Sequence, residues 1–197
     1  MSEQLYTTKR LLRKYNACRV QYAHLVSALG PMADNAPIPL VRILESNGLD
    51  DALWALRAVP QKQRTLRDRL ARLYACRCVR ETPLGDGRTV WNLLLPNGPL
   101  RSVVEISERY AVGDATMDDL DAAQDAAWDS VERNAIFDAV LDSARGSALA
   151  SADVTACNCA WAAAFGITPN PARDATWLAA REFQARLFTE MFGGDHD

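Results

Sequence analysis

Two Cys-x-Cys pairs, Cys76/Cys78 and Cys157/Cys159, give this 197-residue chain four thiols that could in principle surround a zinc ion. Their spacing argues against it. Both pairs fall inside helical patterns, where residues i and i+2 point about 160° apart and cannot share one tetrahedral metal. Small packing side chains are the expected role, and with no Cys-x-x-Cys motif a redox role has no basis. Of the two histidines, His24 and His196, only His24 has a setting suited to acid–base work, and no Ser or Cys nucleophile is identifiable beside it. A polar or hydrogen-bonded structural role is expected for it. The chain also lacks a Gly-rich phosphate loop, a His-Glu-x-x-His motif, a kinase signature and the Glu-x-x-His motifs of di-iron bundles. No catalytic residue, metal or cofactor is therefore expected, and the role is read as non-enzymatic.

The carboxylates are organised differently. Asp118, Asp121, Asp125, Asp129 and Glu132 are spaced 3, 4, 4 and 3 residues apart, which confines them to roughly an 80° arc of one helix. Leu120, Ala123, Ala127, Trp128, Val131 and Ala135 occupy the opposite side. Only Arg133 stands nearby to relieve five like charges, and self-repulsion of this kind is costly on an isolated helix. The stripe is thus either a solvated face or a surface shaped to meet a basic partner. Beyond Asn134 the apolar phase slips, so that Ile136, Phe137 and Val140 project toward the acidic side. Either the helix breaks there or its second half meets another element or molecule. These five acids and three apolar residues form the candidate partner-binding set.

The elements that must carry this set read as all-α. Alanine is abundant, Gly and Pro sit singly at boundaries, and no stretch alternates long enough to suggest a strand. A compact bundle of about 8–10 helices without a sheet is expected, as one domain over residues 1–197. Thr7 or Thr8 caps a first basic helix. A second runs from about Asn16 to Leu29, and Pro39 opens a third that Gly48 ends. Asp50 or Asp51 caps a fourth, and a basic helix spans Gln61 to about Arg80, with Leu66, Leu70, Leu73 and Tyr74 as its apolar arc. Arg77 falls inside that arc, so it must either reach a buried carboxylate or lie at the edge of the core with its stem packed. Two short segments follow around Val90–Leu95 and Leu100–Ala111. Thr116 and Asp119 form a capping box for the acidic helix. Asn170 and Pro171 start the last helix, which carries Trp177, Leu187, Phe188 and Met191 and ends at Gly193.

Charge is split along the chain. Residues 1–101 hold 16 Lys/Arg against 8 Asp/Glu, and residues 102–197 hold 6 against 17. The formal net charge of −3 therefore conceals halves of +8 and −11. Because the arginines of the basic helix are spread around its polar circumference, direct nucleic-acid binding is not expected. A further reading joins the two halves: the basic layer neutralises the acidic one within the fold, or head-to-tail between copies, which would give a homodimer or other homo-oligomer. Five cysteines, no apolar run long enough to span a bilayer and a polar N-terminus without a signal peptide lead to the expectation of a cytoplasmic protein.

Several blocks carry a resemblance: RLLRKYNACRVQYAHLVSALG (residues 10–30), ILESNGLDDALWALRAVP (43–60), RLARLYACRCVRE (69–81) and SVVEISERYAVGDATMDDLDAAQDAAWDS (102–130). Together they resemble an all-helical immunity-protein family encoded by phages, prophages and some bacteria, over roughly residues 8–165. The resemblance implies an all-α accessory protein of mobile elements, working in the host bacterial cell, and it transfers no site residue. Such proteins act by binding host or rival-phage complexes, including nucleic-acid-targeting defence systems of the CRISPR type. A carboxylate stripe would there imitate a phosphate backbone in a basic channel.

Overall fold

The structure, a computed structural model, describes residues 4–84, 86–128 and 173–194. Eight α-helices lie among them: α1 (Lys9–Lys14), α2 (Arg19–Leu29), α3 (Leu40–Asn47), α4 (Leu49–Ala55), α5 (Arg64–Glu81), α6 (Pro99–Val112), α7 (Met117–Trp128) and α8 (Arg173–Phe192). The chain is predominantly helical, as expected, with one correction. Tyr6–Thr7 (β1) pairs antiparallel with Ile38–Pro39 (β2), in the register Tyr6↔Pro39 and Thr7↔Ile38. Two residues per strand are too few to show alternation in a sequence. Their function is to pin the N-terminal segment beside the start of α3, and the Thr7 hydroxyl reinforces this by donating to the Ala58 carbonyl at 2.7 Å.

Local chemistry sets most boundaries. Thr8 caps α1 by accepting from the Leu11 amide at 3.1 Å. Asn16 takes a left-handed conformation (φ 60°), a state asparagine tolerates better than most residues, and so α2 starts at Arg19 rather than near Asn16. Gly48 (φ 90°) serves at once as the stop of α3 and the cap of α4. Asp50 and Asp51 therefore lie in the first turn of α4, where the helix dipole favours them, instead of at its cap. Pro39 occupies the cap position before α3, and Pro99 the first position of α6.

The basic helix α5 is the spine of the fold. Arg67, Leu70, Ala71, Arg72, Tyr74, Ala75, Cys76, Cys78 and Val79 are all buried, far more of its circumference than the expected arc. It divides two cores. Leu70, Ala71, Tyr74 and Cys78 face a larger one with Leu12, Leu25, Leu40, Ile43, Leu53, Leu56, Phe188 and Phe192. Cys76 and Val79 face a smaller one with Val90, Leu94, Leu100, Val103, Val104, Leu120 and Ala127. Tyr74 meets Phe188 edge-on (centroids 5.9 Å apart), Phe188 stacks on Phe192 (4.4 Å), and the Tyr74 hydroxyl donates to the Gln184 carbonyl at 3.1 Å. This aromatic cluster fastens α8 to α5. Among the described residues no helix is long and apolar enough to cross a membrane.

Candidate partner-binding surface

Helix α7 is built as its spacing predicts. The Asp119 carboxylate accepts from the Thr116 amide (2.8 Å) and hydroxyl (2.7 Å), and the Thr116 hydroxyl accepts in return from the Asp119 amide (3.2 Å). Those bonds, the backbone one first, hold the Asp119 carboxyl below the usual carboxylate range. On the inner side Leu120 and Ala127 are fully buried in the smaller core, against α6. Anchoring by these two residues turns Asp118, Asp121 and Asp125 outward, and all three are exposed. Among the described residues none of the three has a basic partner. Asp129, Glu132, Ile136, Phe137 and Val140, together with the phase slip near Asn134, lie outside the described residues.

Apolar surface borders the acids. Ala122 and Ala126 are exposed, one step round the helix from Asp121 and Asp125, and Val112, the last residue of α6, is 58% exposed. The i, i+4 spacing of the two alanines beside the stripe is the signal that would have placed them in the candidate set. Together the acids and alanines offer a face with charge to orient a partner and flat area to pack against.

The positive half contrasts with this at each arginine of α5 that is buried or partly buried. Arg67 pairs with Asp68 at 2.5 Å and donates to the Leu56 carbonyl. The Arg72 guanidinium sits 4.5 Å over the Tyr110 ring, and burial pushes its pKa down. Arg77 takes the second of the two places open to it, at the core edge: it pairs with Glu81 and Glu190, both at 2.6 Å, and neither carboxylate is buried. Arg80 forks onto Glu108 at 2.5 and 2.7 Å while lying 4.0 Å over Trp91, whose ring Arg101 also approaches at 4.6 Å. Three ion pairs, Arg77–Glu190, Arg80–Glu108 and Arg181–Asp50, join the basic half of the chain to the acidic half.

The other chemical candidates fall into structural places. His24 is exposed on α2, its Nε2 2.9 Å from the Ser46 carbonyl oxygen, a contact that puts the proton on Nε2. Cys76 and Cys78 pack into opposite cores, as residues two apart on a helix must, and burial pushes both thiols up, Cys78 to about 12. No group of three or more potential metal ligands occurs among the described residues, and Cys157 and Cys159 lie outside them. Comparison of the chain with protein-family models, characterised proteins and solved structures finds no match in any of the three.

Proposed function

We propose that the protein is a non-enzymatic binding protein that presents the outer face of α7 to a basic surface on a bacterial macromolecular complex. The observation that carries this reading is the unequal use of charge. Asp118, Asp121 and Asp125 stand exposed with no basic partner among the described residues, whereas every arginine of α5 except the exposed Arg69 is engaged within the fold. Like-charged groups held on one face gain from meeting a positive surface, and such complementarity speeds encounter and sets orientation. The resemblance to phage- and prophage-encoded helical proteins supports a nucleic-acid-targeting defence complex as the target, with the acidic face standing where phosphates would lie and the protein acting as an inhibitor in the host cytoplasm. Capture from bacterial lysate tests the reading. A partner held at low salt, released at high salt and displaced by added DNA is the expected result; a partner indifferent to both rejects it.

One observation favours a second reading, a self-contained structural or immunity-type protein, free or as a homo-oligomer, with no nucleic-acid-related target. Two of the ion pairs linking the halves, Arg77–Glu190 and Arg80–Glu108, already neutralise part of the opposing excess internally. This version predicts that the purified protein self-associates at low salt and dissociates as salt is added, measured by sedimentation. A monomer at every salt concentration, bound to a foreign complex, would reject it.

A further inference from the structure

Two Asn-Gly dipeptides occur among the described residues, Asn47–Gly48 and Asn97–Gly98. Such dipeptides are prone to lose the side-chain amide, because a glycine nitrogen, with no Cβ beside it, can approach the preceding side-chain carbonyl carbon. The fold treats the two oppositely. Asn47 ends α3 with its Nδ2 donating to the Gln21 carbonyl and the Asp51 carboxylate, both at 2.8 Å, and lying 3.4 Å from Gln21 Oε1. Asn97 is exposed in the turn before α6, and its side chain makes no hydrogen bond among the described residues. It lines, with Gly98, Arg101, Ser102 and Glu105, an open polar cavity of about 220 Å³, room enough for the water that hydrolysis requires.

Backbone hydrogen bonding is alike at the two sites, but burial is not: Gly48 is exposed and Gly98 is buried. The Gly48 amide donates to the Leu44 carbonyl and the Gly98 amide to the Leu95 carbonyl, each at 2.9 Å. Both nitrogens are thus tied by one bond of equal length, and the contrast in rate rests on the side-chain lock at Asn47 outweighing the burial of the Gly98 amide. Asn97 also holds φ at 59° as the third residue of the Leu95–Gly98 turn, with Pro96 before it, the arrangement of a type II turn.

We propose that Asn97 is a site of spontaneous deamidation and that the hydrogen bonds around Asn47 protect its counterpart. The deprotonated Gly98 nitrogen attacks Asn97 Cγ, the new N–Cγ bond forms, the Cγ–Nδ2 bond breaks, and ammonia leaves with a proton from solvent. Water then opens the cyclic imide at one of its two carbonyls, giving aspartate or isoaspartate with no change in oxidation state. The aspartate product places a carboxylate just before the N-terminus of α6 and in the same cavity as Arg101 and Glu105, where the helix end and the guanidinium favour negative charge and the glutamate opposes it. Isoaspartate instead lengthens the backbone of the turn by one carbon.

Incubation of the folded protein in mildly alkaline buffer, followed by tryptic peptide mapping, tests this directly. Asn97 lies in the peptide 89–101 and Asn47 in 43–57, and fragment ions separate Asn97 from Asn92. Conversion, read as a gain of about one dalton, is expected about tenfold faster or more at Asn97, the factor that breaking a side-chain lock of this strength implies. In urea-unfolded protein the two rates should converge. Equal rates in the folded protein, faster conversion at Asn47, or an Asn97 that stays intact while the unfolded chain converts would each overturn the proposal.

Discussion

Helices α5 and α7 carry opposite charges and opposite fates. α5 is rich in arginine yet has nine of its eighteen residues buried, because its short apolar residues face two cores and its long cationic side chains, the exposed Arg69 apart, lie along their edges. There they find carboxylates, carbonyl oxygens and aromatic faces. α7 buries one narrow edge through Leu120 and Ala127 and leaves its acids to solvent. The arginines of α5 largely hold elements together, whereas Asp118, Asp121 and Asp125 of α7 lie exposed with no basic partner among the described residues. Sequence counts of +8 and −11 give each half a net excess of opposite sign; only packing distinguishes charge that is engaged from charge that is available.

Substitutions that break the comparison should produce effects graded by burial. The largest is expected at the α5–α8 junction. Phe188→Ala removes a fully buried ring that contacts Tyr74 and Phe192 and should cost about 3–5 kcal/mol in a urea unfolding curve. A loss below about 1 kcal/mol would mean that α8 is not fastened to α5 as described. Next comes Arg80→Ala, which removes the fork to Glu108 and the stack on Trp91 at once. With both groups partly exposed, about 1–2 kcal/mol is expected, and Arg80→Lys should recover only part of it because an ammonium cannot fork. Thr116→Ala, which undoes the capping box of α7, should cost about 1 kcal/mol.

Acid sharpens the last of these. Asp119 is held below its ordinary pKa, so its bonds to Thr116 contribute stability that is present above the ordinary carboxylate range and is lost as the pH falls through the lowered value. Wild type should therefore lose stability more steeply than Asp119→Asn over that acid range, measured by unfolding midpoints. Parallel curves would contradict the assignment.

Much of this organisation could be read before folding, and what could not has a physical cause. Thr8, Pro39, Gly48 and the Thr116/Asp119 box act through bonds within a few residues, so their roles follow from the local sequence. That Asp118, Asp121 and Asp125 share one face also follows from their spacing, whereas their exposure is set by the packing of Leu120 and Ala127 against α6. The burial of α5 does not, because arginine reads as a solvent residue until Glu108, Glu190 and Trp91 arrive from distant parts of the chain. The β1–β2 pair is too short for any periodic signal, and the left-handed turn at Asn16 looks like continued helix in sequence.

The central claim is that the acids of α7 are available rather than structural. Triple reversal, Asp118→Lys with Asp121→Lys and Asp125→Lys, measured side by side for unfolding midpoint and for retention of the captured complex, tests it most directly. The account predicts a stability change within about 0.5 kcal/mol together with loss of capture. Full capture by a normally folded triple variant, or collapse of the fold on reversal, would contradict it.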